Sequence, residues 1–122
     1  AGGLDMWWAA TCWGGVVSHL GAGLVGGLGV VPSGNRGDEA ALFEAGHGTA
    51  PDIVGKGVAN PTALIMSAAM MLTYLNETEA SRRISKALDK VYREHKYVTR
   101  DVGCAATTSE FTAEVIAALD AA

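Results

Sequence analysis

The stretch Glu44-Ala45-Gly46-His47-Gly48-Thr49-Ala50-Pro51-Asp52-Ile53-Val54-Gly55-Lys56-Gly57-Val58-Ala59-Asn60-Pro61 holds the residues best placed to do chemistry. Its glycines let backbone amides come close to a phosphate, and the helix that follows adds a favourable dipole at its N-terminus. Asp52 inside such a loop is a fixed acceptor of the kind that binds ribose hydroxyls. Each residue also has a plainer reading. Asp52 could simply cap a turn, His47 alone is more often a hydrogen-bonded structural histidine, and Lys56 divides evenly between a solvated loop lysine and a phosphate contact.

Other reactive residue types lead nowhere comparable. Ser18, Ser67 and Ser109 have no partnered base in any motif, so nucleophilic serine chemistry is unsupported. Cys12 and His19 are two soft ligands, and two ligands do not make a zinc site. Cys12 and Cys104 form no C-x-x-C pair and read as reduced thiols. Met66, Met70 and Met71 are expected to fill core gaps, and Trp7, Trp8 and Trp13 to be buried or interface aromatics.

The elements around the loop follow from the composition. All glycines except Gly103 precede residue 58, whereas most charges follow residue 75. Strands and close backbone contacts are therefore expected first and helices second, an α/β chain with short buried strands in its first half and three helices in its second. Leu4–Trp8 reads as a strand. In residues 16–25, Val16, Val17, Leu20 and Leu24 share a helical face, and Gly21 and Gly23 make that helix depend on a neighbour. Gly26-Gly27 ends it. Leu28–Val31 then reads as a buried strand, Pro32–Gly37 as a turn, and Ala40–Ala45 as a strand leading into the loop.

Asn60-Pro61 is a helix start, an N-cap acceptor followed by proline. Residues 61–75 are apolar nearly all round and want burial on most sides. Asn76-Glu77-Thr78-Glu79 resembles a capping box that opens a helix to about Glu94. Its inner face is Ala80, Ile84, Leu88 and Val91, with Arg82, Arg83, Lys86 and Lys90 in water. Residues 96–106 connect, with a short strand near Tyr97-Val98. Thr107-Thr108-Ser109-Glu110 is a second capping box, and Phe111, Val115 and Leu119 face inward from the last helix.

With 122 residues the chain has material for one domain and a core, and 49% apolar composition argues against disorder. A formal net charge of −4 leaves no basic patch for nucleic acid. Glycines, Asp5 and His19 interrupt the apolar N-terminal region, so no membrane span is expected. Ala1-Gly2-Gly3 lacks the basic start of a signal peptide.

From Gly21 to Ala118 the chain closely resembles the C-terminal part of the β-decarboxylating dehydrogenases, which include isocitrate, isopropylmalate and homoisocitrate dehydrogenases. The resemblance is carried by Ala22-Gly23-Leu24-Val25-Gly26-Gly27-Leu28-Gly29 and Pro32-Ser33-Gly34-Asn35. It continues through Phe43-Glu44-Ala45, His47-Gly48-Thr49-Ala50-Pro51-Asp52-Ile53, Gly55-Lys56-Gly57 and Asn60-Pro61-Thr62-Ala63-Leu64. Ser67-Ala68-Ala69-Met70-Met71-Leu72 and Thr107-Thr108-Ser109-Glu110-Phe111 complete it. The HGTAP form with Phe43-Glu44-Ala45 upstream looks most like the NAD-dependent isocitrate branch.

The resemblance implies a partial NAD-binding domain spanning residues 1–122, with the loop from His47 to Asp52 and Ile53 around the adenosine end of the cofactor. His47 would lie near adenine and ribose, and Gly48, Thr49 and Ala50 would offer backbone contacts toward the diphosphate. Asp52 would accept from the ribose hydroxyls, Asn60 would touch adenine, and Glu44 would lie toward the nicotinamide. A carboxylate at 52 favours the free 2′-hydroxyl of NAD over a 2′-phosphate.

The family also holds Mg²⁺ or Mn²⁺ on two aspartates four residues apart, and those positions are here Gly15 and His19. Glycine has no side-chain ligand, and imidazole suits a hard cation poorly, so neither metal nor catalytic residues are expected in this stretch. The family's substrate arginines, catalytic tyrosine and catalytic lysine come from segments preceding this one. The isolated chain is therefore expected to be inactive, a cofactor-binding portion or a degenerate nucleotide-binding or interaction module. Its apolar helix and strand edges would lack their usual cover, which predicts a homo-oligomer or a larger enzyme around it. The compartment expected is cytoplasmic, or the mitochondrial matrix in a eukaryote.

Overall fold

The computed structural model describes residues 9–121. The strand expected at Leu4–Trp8, with Trp7 and Trp8, lies outside them. In order, the elements are helix α1 (Thr11–Val25), strands β1 (Pro32–Arg36) and β2 (Ala41–Ala45), and helices α2 (Thr62–Tyr74), α3 (Thr78–Glu94) and α4 (Thr108–Asp120). Short 3-10 turns occupy Leu28–Val30, Pro51–Ile53 and Arg100–Val102. The α/β class and the three helices of the second half agree with the sequence reading.

Two local expectations are corrected. Leu28–Val31 is not a strand: Val31 N–H closes back on the Leu28 carbonyl at 3.3 Å, and no strand pairs with this segment among the described residues. Pro32–Gly37 is not a turn either. Pro32–Arg36 pairs antiparallel with Ala41–Ala45, Pro32 opposite Ala45 and Arg36 opposite Ala41, and the reversal falls at Gly37–Ala40. Turn propensity loses here to packing. The Ser33 N–H donates to Ser67 of α2, and the Phe43 ring lies across Gly34, where an added Cβ would meet it at 3.1 Å. Phe43 also meets Tyr74 with ring centroids 5.6 Å apart, and Arg36 lies over the Tyr74 ring at 5.3 Å.

The core is helical. Ala87, Leu88 and Val91 of α3 meet Phe111, Val115 and Ala118 of α4 around Val98. Arg82, Arg83, Lys86 and Lys90 are exposed on the other side of α3, as the charge pattern predicts. Thr107 does cap α4 with a complete capping box, accepting from the Glu110 N–H while Glu110 accepts from the Thr107 N–H. Asn76-Glu77-Thr78-Glu79 does not. No side chain caps α3, because Asn76 is spent leaving α2 in a left-handed conformation at φ 65°. In place of a strand near Tyr97-Val98 there is one parallel bridge, Thr99 with Ala106.

Helix α2 buries its small residues Thr62, Ala63, Ser67 and Ala69, and exposes Leu64 and Met71. Of the methionines expected in the core, Met66 and Met71 are exposed and Met70 is half-buried against Gly34. Small side chains let the hairpin backbone approach α2 closely, which turns the larger ones outward. Helix α1 buries Ala22 and leaves Val16, Leu20 and Leu24 exposed, Leu24 at 82%. Its neighbouring face is not supplied by the described residues. Trp13, expected to be covered, is exposed on the same helix.

Candidate functional site

The loop between β2 and α2 is fastened at both ends and free between them. At its entry the Ser67 hydroxyl, buried on α2, lies 2.6 Å from the Glu44 carbonyl oxygen and 2.8 Å from that of Ala63. The Ser67 hydroxyl oxygen in turn accepts the Ser33 N–H at 3.2 Å, so one side chain joins β1, β2 and α2 at the root of the loop. Gly46 N–H then donates to the Val31 carbonyl at 3.1 Å. A Cβ at Gly46 would come within 3.2 Å of that oxygen, which favours glycine here.

Between the fastenings, every residue from Gly46 to Ala59 is exposed. His47 Nδ1 lies 2.8 Å from the Gly48 carbonyl oxygen. As donor to that oxygen, Nδ1 carries the proton and Nε2 remains the available ring nitrogen. The N–H groups of His47, Gly48, Thr49 and Ala50 donate to no acceptor among the described residues. Ala50 is left-handed, at φ 44° and ψ 63°, and turns the chain into the 3-10 turn Pro51–Ile53 that carries Asp52. The result is a run of free donors followed by an exposed carboxylate. Such an arrangement suits an oxygen-rich ligand with hydroxyls to be accepted.

At the exit the chain is held again. Gly57, at φ 64°, presents its carbonyl to the Thr108 N–H at 2.8 Å, a backbone conformation that favours glycine. Thr108 Oγ1 donates to the Ala59 carbonyl at 2.6 Å. Asn60 is 8% exposed, and its Oδ1 accepts the Thr62 N–H at 3.0 Å; α2 begins at Thr62 with Pro61 in the cap position, one residue later than the Asn-Pro pair predicts.

The structure thus places Glu44, His47, Gly48, Thr49, Ala50, Asp52 and Ile53 on one exposed run. Glu44 sits at its root with its carboxylate accepting from Asn35 Nδ2 at 3.2 Å, and Asn60 stands apart as the buried end. Sequence reasoning missed the fasteners Ser67 and Thr108. Both stood in plain view, Ser67 in the middle of a mainly apolar helix and Thr108 beside the α4 cap, but the carbonyls they bond lie far away in sequence.

Beside the loop root runs a groove of about 160 Å³ lined by Ser18, His19, Leu28, Val31, Pro32, Ser33 and Gly46. His19 Nδ1 lies 2.6 Å from the Gly15 carbonyl oxygen, and Ser18 Oγ donates to the same oxygen at 3.0 Å. These residues do not fit a hard divalent cation. One imidazole with a committed nitrogen is the sole side-chain ligand at these two positions, and no group of three His, Cys, Asp or Glu gathers among the described residues.

A sequence profile describing isocitrate/isopropylmalate dehydrogenase matches residues 3–115. The chain belongs to the isocitrate/isopropylmalate dehydrogenase family. It is 59% identical over 106 residues to an isocitrate/homoisocitrate dehydrogenase of Thermus thermophilus, covering 87% of this chain and 31% of that protein. To a probable mitochondrial isocitrate dehydrogenase [NAD] subunit alpha of Drosophila melanogaster it is 51% identical over 107 residues, covering 88% of this chain and 28% of the relative. The crystal structure of isocitrate dehydrogenase from Methylococcus capsulatus superposes with a TM-score of 0.85 at 44% identity, covering 88% of this chain and 32% of that one. The chain spans about a third of the length of the curated relatives it matches. No described helix is long and apolar enough to cross a membrane.

Proposed function

We propose that this chain is the cofactor-binding C-terminal portion of an NAD-dependent isocitrate dehydrogenase-like enzyme. The whole enzyme would oxidise a 2-hydroxy acid by hydride transfer to NAD and release CO₂ from the resulting β-keto acid. The observation that carries this is the loop. Four free backbone donors from His47 to Ala50 precede an exposed Asp52, and the loop is fastened at Glu44 and at Gly57–Asn60. Donors would meet the diphosphate region, and the Asp52 carboxylate would accept from the adenosine ribose. A 2′-phosphate would be repelled by the same charge, which is the reason for choosing NAD.

The isolated chain is inactive on this reading, since Gly15 and His19 stand where the family's metal-binding carboxylates are expected. Loss of both carboxylates also supports a second role, a free-standing nucleotide-binding or interaction module. The mitochondrial relatives support a mitochondrial compartment if the source is eukaryotic, with the cytoplasm as the reading otherwise.

Titration of the chain and its Asp52→Ala variant with NAD tests the site. Binding by the wild type that weakens in the variant is the expected result, and no binding by either at millimolar NAD would sink it. Turnover of isocitrate with Mn²⁺ by the chain alone would overturn the inactive reading.

A further inference from the structure

The side-chain amide of Asn60 has no donor left for a ligand. Its Nδ2 donates to Asp101 Oδ2 at 3.0 Å and to Tyr92 Oη at 3.2 Å, while its Oδ1 holds the Thr62 N–H. Tyr92 Oη is also 2.7 Å from Thr62 Oγ1, and the Tyr92 ring stands edge-on to the buried Phe111, centroids 5.7 Å apart. Gly29 closes the group from the α1 side, since a Cβ there would sit 3.4 Å from Asp101 Oδ2 and 3.6 Å from Asn60 Cβ. Three segments far apart in sequence converge on one buried amide.

We propose that Tyr92 and Asp101 are positioning residues of the nucleotide loop, acting through Asn60. The proposal rests on reading the loop as an NAD site. With its side-chain amide committed, Asn60 serves the cofactor by fixing the backbone at 58–60 rather than by donating that amide to a base. Tyr92 ties that backbone to the α3–α4 core, and Asp101 ties it to the connection between those helices. A loop held this way loses less freedom when a ligand binds. Thr108 secures the carbonyls just upstream, so the run from His47 to Asp52 lies between two fixed ends.

Tyr92→Phe removes the hydroxyl and keeps the ring on Phe111, Asp101→Ala removes the acceptor, and Asp101→Asn keeps an oxygen that can accept. NAD titration of the full chain and amide hydrogen exchange are read together. Tyr92→Phe and Asp101→Ala should each weaken NAD about tenfold and speed exchange at Thr62, while Val91 and Val115 stay protected. Asp101→Asn should remain within about threefold of wild type.

Unchanged affinity in Tyr92→Phe and Asp101→Ala would overturn the proposal. So would an equal loss in Asp101→Asn and Asp101→Ala, which would mean that the charge meets the ligand. Lost protection at Val91 and Val115 would make the role merely structural. Absence of NAD binding by the wild type removes the loop reading and the positioning with it. Binding with unaffected variants removes the positioning alone.

Discussion

The Ser67 hydroxyl oxygen lies 2.6 Å from the carbonyl oxygen of Glu44, and this contact sets where β2 ends and the loop begins. Ser67 is buried on α2 and receives the Ser33 N–H on its other side. Helix and hairpin are thereby held in register at the root of the candidate site.

Ser67→Ala leaves the Ser33 N–H without its acceptor and frees the loop root. The expected cost is about 1–3 kcal/mol, read from the urea midpoint with the slope unchanged. A neutral substitution would show that water or a backbone shift replaces the contact.

Ala50→Gly should stabilise. A left-handed alanine costs roughly 1–2 kcal/mol, and the greater freedom of an unfolded glycine gives back only part of that gain. A net increase of up to about 1 kcal/mol is expected by chemical denaturation. Destabilisation would mean that the methyl group makes contacts that outweigh the strain.

Asp52→Arg should reverse the nucleotide preference. Loss of the ribose acceptor weakens NAD by roughly ten- to a hundredfold, and the cation attracts a 2′-phosphate. Parallel titrations with NAD and NADP check this, and an unaltered ratio of affinities would remove Asp52 from the site.

The exposed stripe on α1 should drive self-association. Leu20 and Leu24 are 67% and 82% exposed, one turn apart on an apolar helix. Sedimentation velocity should show concentration-dependent association that the Leu20→Glu/Leu24→Glu double variant abolishes. A compact wild-type monomer at high concentration would contradict it.

Acid should loosen α4. Hydrogen bonds from the Thr107 N–H and then from its hydroxyl hold the Glu110 carboxyl below its ordinary value. A carboxyl lowered in the folded state stabilises fully above the unfolded glutamate value, and that contribution is lost as pH falls through the lowered folded value. Glu110→Gln should therefore melt below wild type at neutral pH, with the difference vanishing in acid. A gap that persists in acid would assign the effect to shape rather than charge.

The helices of the second half were legible because their signals are local. Periodic apolar residues place α3 and α4, the Thr107–Glu110 box starts α4, and the Asn60 side chain bonds the Thr62 N–H two residues on, where α2 begins. The loop was legible as chemistry for the same reason, since glycines and Asp52 declare their backbone freedom and charge wherever they fold. Sequence also carried the family, through contiguous motifs.

Tertiary structure decided the rest. Pro32–Arg36 carries turn residues yet becomes a strand, because Ser67 and Phe43 hold it from elsewhere. Apolarity alone said that α2 should be buried on most sides, whereas close approach of the hairpin selected its small face and turned Leu64 and Met71 outward. Above all, Asn60 reads in sequence as a cap with an amide to spare. Tyr92 and Asp101 take that amide up, and a contact spanning 41 residues of chain leaves no trace in local spacing.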